Sequence, residues 1–290
     1  MTFQRLIVCA DDFGMSQDID DGVIALAQSH RLTAVSCMAH APWFERDAAR
    51  LQGLDVDVGL HLTFTERLGA RRFYLSLPRL TAYAYARLLD TAQLTRQIER
   101  QLDRFEHTIG RAPDFVDGHQ HVHQLPQIRE ALLAVLARRY GNDGLWVRCG
   151  KPGTQTGLPY SCRNKAAMIG VLGAAAFTRL AAAAGLPSNR RLLGVYDFRG
   201  GVQRYTDLLD HWLRNARDGD LLMCHPALAG TGCDDHAGQR AAEYHALASP
   251  GFARALQRHG LQLARQGGGK GGKPFGASAA CMPRRHLPHA

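Results

Sequence analysis

Residues 6–16 read L-I-V-C-A-D-D-F-G-M-S. Apolar residues stop at two adjacent acids, a glycine follows, and Ser16 precedes Ile19, Val23, Leu26 and Ala27 on one helical face. A short unbroken apolar run is the pattern of a strand buried on both faces, and serine is a good helix N-cap. The stretch therefore predicts a strand feeding a helix. The same alternation recurs downstream. Ala34–Ala41, Val56–Leu62, Phe115–Gly118, Leu145–Cys149, Leu192–Tyr196 and Asp220–Cys224 read as strands, with Leu261–Ala264 last. Between them, Leu94, Ile98, Leu102, Phe105 and Ile109 form a helical stripe that Gly110 can end. Residues 126–140 and 163–184 also read as helices. Strand–helix alternation argues for a parallel sheet. Seven or eight such units predict an α/β fold closed as a distorted (β/α) barrel.

Composition bounds the rest. The 290 residues suit one large domain, and 46% apolar with 21% charged residues excludes global disorder or a collagen-like chain. Residues 1–266 contain no linker or repeat and are expected to form a single barrel-like domain. Residues 267–290 are Gly-rich, hold Lys270, Lys273, Arg284 and Arg285 without an acid, and read as a flexible basic tail. The segment 63–92 is rich in Arg, Tyr and Leu without clear period and reads as an excursion over a site. The richest apolar stretch, 166–184, is interrupted by Gly170, Gly173, Thr178 and Arg179, so no stable membrane insertion is expected. Leu6–Ala10 is too short for a secretory signal. Seven cysteines without a C-x-x-C pair predict free thiols and a cytoplasmic location. The net charge of +9 raises nucleic acid as a partner, but no recognition motif accompanies it, and none is expected to bind.

The ionisable residues collect where strands end. Asp11 and Asp12 follow the first strand and His61 closes the third; Asp117, His119, His121 and His123 follow the fourth. Arg148 ends the fifth, and His225 follows Asp220–Cys224. In a (β/α) barrel these ends share one face, so the pattern aims acids and imidazoles at one mouth. Imidazoles with a carboxylate suit a divalent metal, and a second acid left free can serve as a base. In extended geometry the alternating histidines of D-G-H-Q-H-V-H would share one face. His225 offers a further ligand or a general acid. Cys224 reads as a packed thiol, and neither Ser16 nor Ser36 has a catalytic-triad context.

A-D-D-F-G-M-S, G-L-H-L, D-G-H-Q-H-V-H and M-C-H-P-A, in this order, resemble the YdjC-like carbohydrate deacetylases, a family that includes chitooligosaccharide and hopanoid-biosynthesis-associated deacetylases. The resemblance spans about residues 4–266. It implies a barrel of the polysaccharide-deacetylase type and one divalent ion, magnesium or zinc, on Asp12, His61 and His119. It further implies Asp11 as catalytic base, with His225 as the proton donor and His121, His123 and Arg148 lining the substrate site. On the same resemblance Trp43, Phe64, Tyr74, Tyr83 and Tyr85 are candidates for stacking on a sugar ring, with core packing the commoner fate of such side chains. The implied reaction is metal-dependent removal of an N-acetyl group from an amino sugar, oligosaccharide or glycolipid. Two other readings compete. A metal-dependent phosphoesterase on the same scaffold would want a second metal, for which His121 and His123 are available. A barrel kept only for binding would not need the intact acids and histidines. The sequence leaves a homodimer open.

Overall fold

A computed structural model describes residues 3–68, 73–141, 144–228 and 236–267. Among these residues the strands are β1 (Gln4–Phe13), β2 (Ala34–Cys37), β3 (Asp57–Leu62), β4 (Phe115–Gly118), β5 (Trp146–Val147), β6 (Leu192–Leu193), β7 (Asp220–Cys224) and β8 (Leu261–Leu263). All pair in parallel, in the order β5-β4-β3-β2-β1-β7-β6. The outer edges then meet. Leu192 N donates to Lys151 O at 2.7 Å, Gly153 N to Leu192 O at 3.0 Å, and Val147 N to Pro187 O at 2.9 Å. This sparse seam closes the sheet as the expected distorted (β/α) barrel. β8 pairs only with Gln4–Leu6, ahead of the point where β2 joins β1 at Cys9.

Side-chain alternation sorts the strands into two rows. Leu6, Val8, Ala10, Val58, Leu60, Val116 and Leu222 join the large cluster beneath the helices. Ile7, Cys9, Ala34, Phe115, Trp146, Leu192, Leu221 and Met223 form a second cluster, the barrel interior. Phe115 stacks on Trp146 with centroids 4.3 Å apart. Gly59 makes room for this pair: a Cβ there would lie 2.5 Å from the Phe115 ring. Continuing each inward row by two residues reaches Asp11, Ser36, His61, Asp117, Arg148 and His225. The interior is thus apolar at its base and polar at the C-terminal rim.

The helices follow the sequence closely. Ser16 caps Gln17–Gln28 by accepting from Ile19 N, and Gly110, in the left-handed region, ends Thr91–Ile109. The excursion at 63–92 contains an unforeseen helix, Leu77–Tyr85, which buries only Leu80 and Ala84 and so leaves little periodic trace. The long helix expected at 163–184 begins earlier and divides into Tyr160–Ile169, a π-turn at Gly170–Ala174 and Ala175–Ala183. Gly267 still docks, its N 3.2 Å from Asp57 Oδ2; the rest of the expected tail lies outside the described residues.

Buried Asp20 accepts from Gly14 N at 2.6 Å and fixes the turn after β1. Burial and the adjacent Asp47, itself paired with Arg46 and Arg50, push Asp20 up to about 8. The folded chain then keeps a proton that the unfolded chain releases near about pH 4. Stability from this group is complete below about pH 4 and drains away as pH rises toward 8. Asp20→Asn retains both an acceptor for Gly14 and a donor toward Asp47. We expect its melting temperature to exceed that of the parent by a few °C at alkaline pH, with the gap closing in acid. Parallel curves across this range would refute the assignment.

Candidate active site

Neighbouring acids on a strand ordinarily point to opposite faces. Here the β1–β2 register shifts between Ala10 and Phe13, and Asp12 takes a left-handed φ of 69°. Aspartate tolerates that conformation better than most residues. Gly14 follows at φ +98°, where an added Cβ would lie 2.8 Å from Phe44 Cβ. The distorted strand end carries both carboxylates into one cluster, along different directions.

Asp12, His61 and His119 each present a ligand atom, all within 4.8 Å of one another. Asp12 Oδ1 lies 3.0 Å from His119 Nδ1 and 3.4 Å from His61 Nε2. His61 Nδ1 donates to Asp117 Oδ1 at 2.6 Å, which turns Nε2 toward Asp12. Burial alone would push His61 down, but Asp117 and Asp11 outweigh it and hold it up at about 10. Burial opposes the charge on Asp12 as well, yet Arg240 and His119 keep it well below the usual range. The cluster draws positive charge, and its donors are one carboxylate and two imidazoles, one of them already oriented from behind. These residues fit a divalent cation.

A second group, Cys9, Asp11 and Asp117, also brings possible ligands together. Its centre belongs to Arg148. The guanidinium donates to both Asp11 oxygens at 2.6 Å, lies 2.5 Å from Asp117 Oδ2, and reaches Cys9 Sγ at 2.9 Å. Arg148 is 0% exposed. Strand alternation sends this expected substrate-site residue inward beneath the acids, where it braces them.

The D-G-H-Q-H-V-H run is not extended. His119–Gln124 forms a 3₁₀ turn with Gln120 and His121 in the left-handed region, so the three histidines do not share a face. Only His119 reaches the metal cluster. His123 is wholly buried against Phe177, with Nε2 3.0 Å from Arg148 O, and burial pushes it down to about 4. Like Arg148, this expected substrate-site residue is turned into the interior. His121 is also buried, with its ring 6.4 Å from that of His123. Ser36 lies 2.6 Å from Asp117 Oδ1 and 2.9 Å from His61 Nδ1. It sits on the ring nitrogen that Asp117 already holds, so it orients His61 and is no nucleophile. Cys224 is packed against Cys9 O as expected. Phe64 belongs to the core, and Arg46 covers the Trp43 ring at 3.8 Å.

His225 Nε2 faces Asp11 Oδ2 at 4.0 Å, and its ring lies 4.8 Å from that of Phe198. Burial pushes it down to about 3. Behind it, buried Glu243 accepts from His225 N and Tyr196 OH, each at 2.6 Å. Arg240, one helical turn before Glu243, donates to Asp12 Oδ2 at 2.7 Å. Glu66 Oε1 lies 3.3 Å from His119 Nε2. Sequence reading missed Glu66, Arg240 and Glu243. The last two lie on helix Ala237–Ala248 at an i, i+3 spacing, the one signal that could have paired them.

The profile of the YdjC-like protein family matches residues 5–258. Human carbohydrate deacetylase is 31% identical over 150 residues, covering 47% of this chain and 46% of that protein. Chitooligosaccharide deacetylase of Yersinia pestis is 32% identical over 147 residues, 46% of this chain and 55% of that one. The chain spans about half the length of these curated relatives. Among solved structures, a candidate cellobiose-phosphate cleavage protein of Enterococcus faecalis superposes with a TM-score of 0.66 at 21% identity, covering 91% of this chain and 98% of its own. A CE4 esterase of Streptococcus mutans gives 0.51 at 12% identity, covering 90% and 85%. These two likenesses show a shared fold.

Proposed function

We propose, from the premise that the chain belongs to the YdjC-like protein family, that it hydrolyses the N-acetyl group of an amino sugar, free or carried on an oligosaccharide or lipid. The convergence of Asp12, His61 and His119 within 4.8 Å carries this reading. The names of the curated relatives support the acetyl-sugar class. A divalent ion held by these three residues would supply a Lewis acid for the amide carbonyl and a more acidic water.

The remaining steps fall to the chain itself. Asp11, fixed by Arg148, takes a proton from the attacking water. One guanidinium serves both Asp11 and Asp117 and so fixes the direction in which the Asp11 carboxylate faces. His225, kept neutral by burial and 4.0 Å from Asp11, relays the proton that Asp11 took from water to the departing amine nitrogen. A C–O bond forms, the amide C–N bond breaks, and acetate and an amino sugar leave. Asp117 and Ser36 hold His61 in register throughout. Among the described residues, five free, buried cysteines support placing this chemistry in a reducing compartment such as the cytoplasm.

The phosphoesterase reading needs a seat for a second metal. Among the described residues the second ligand group is filled by Arg148, and His123 is committed to a backbone carbonyl. We expect acetate release from at least one N-acetylated sugar, loss of that activity on chelation, and recovery with one divalent ion per chain. Hydrolysis of phosphate esters without any acetate release across such a panel would overturn the proposal.

A further inference from the structure

The segment Tyr160–Ala183 is long and apolar enough in length and composition to cross a membrane. Its inner side is committed to the fold: Ala166 and Ile169 join the barrel interior, and Cys162, Phe177 and Ala181 the main core. Its outer side is not covered. Tyr160 is 70% exposed, Met168 63% and Val171 76%. Tyr85 OH donates to Val171 O at 3.1 Å, which sets helix Leu77–Tyr85 alongside. That neighbour adds Tyr83, Tyr85 and Leu88, the last 71% exposed. An apolar patch gathered from two separated segments is uncommon on a monomer surface and marks a contact site.

The two segments that build this patch carry basic side chains and no acid of their own, with Glu130 facing Arg87 from a neighbouring helix. Residues 160–183 contain Arg163, Lys165 and Arg179 and no Asp or Glu, and residues 77–88 contain Arg79 and Arg87 and no acid. Arg79, Arg163 and Arg179 are exposed at the patch, and Arg87 is exposed beside Glu130 at 3.6 Å. An apolar face framed by cations matches an anionic lipid surface: aromatic and aliphatic groups enter the interface while arginines meet the headgroups. We propose that this face docks on an anionic bilayer without spanning it. The same helix reaches the active-site rim, for Lys165 Nζ lies 4.7 Å from the Phe198 ring that packs on His225. A docked chain would therefore hold its site beside the bilayer. The inference does not rest on the deacetylase reading, because its test reads binding alone.

The test is co-sedimentation of the full chain with phosphatidylcholine vesicles, with and without phosphatidylglycerol. We expect binding to the anionic vesicles, weaker binding to the neutral ones, and release by salt. Met168→Glu with Val171→Glu should weaken the anionic partition about tenfold or more. Arg79→Glu with Arg163→Glu should do the same by charge alone while leaving the apolar residues in place. All four positions are exposed, and an unchanged melting curve checks folding. Binding that survives both pairs would come from charge elsewhere, residues 267–290 included, and would overturn the proposal. So would a concentration-dependent dimer abolished by Val171→Glu in a chain that ignores vesicles, which would assign the face to a second copy.

Discussion

Replacing Arg148 with methionine should lower the melting temperature by roughly 6–20 °C and abolish activity with it. Arg148 is buried between Asp11 and Asp117, at 2.6 Å and 2.5 Å. Methionine fills similar space but leaves two carboxylates facing each other out of water. Removing one partner of a buried ion pair costs about 3–5 kcal/mol, a large part of the roughly 5–15 kcal/mol that holds a domain together. Arg148→Lys should fall between the two, since a single ammonium cannot meet both Asp11 oxygens and Asp117 in the planar geometry of guanidinium. Calorimetry on the three proteins decides the point. A methionine variant melting within about 2 °C of the parent would mean that water already compensates these acids.

The inward row explains why so much of the site was legible. Asp11, His61, Arg148 and His225 each stand at or just beyond the end of a short apolar run, and barrel strands present such ends at one face. The runs themselves were readable because strands buried on both sides leave continuous apolar stretches. What escaped was set by local backbone or by distance in the chain. The left-handed turn at Gln120 and His121 has no glycine to announce it, so three alternating histidines read as one face when only His119 joins the cluster. Arg148 has the residue type of a substrate contact, and only its 0% exposure shows that it serves the acids instead. Arg240 and Glu243 lie more than 200 residues from β1 and reach it only because helix Ala237–Ala248 packs over the closed barrel. Their pattern is that of an ordinary helix surface, so no sequence rule singles them out.

Asp11→Asn should lower kcat by about 10²–10⁴-fold with metal uptake little changed. The amide keeps the size of the carboxylate but accepts no proton from water. Arg148 loses one partner, yet Asp117 remains 2.5 Å away, so the variant should melt well above Arg148→Met. Asp12→Asn removes the only carboxylate among the three grouped ligands and releases Arg240 from its 2.7 Å contact. The arginine then faces a neutral amide in place of a carboxylate, and its charge beside two imidazoles disfavours a cation. Loss of an outer hydrogen-bond partner costs about 10–100-fold in metal affinity, and loss of a direct ligand should exceed that. Titration calorimetry with zinc should therefore separate the two variants, and saturating metal should return part of the activity to Asp12→Asn but none to Asp11→Asn. The roles are exchanged if Asp11→Asn is the variant that loses metal. If both bind metal and turn over normally, the acid pair does no more than begin the first helix, where negative charge meets its positive end.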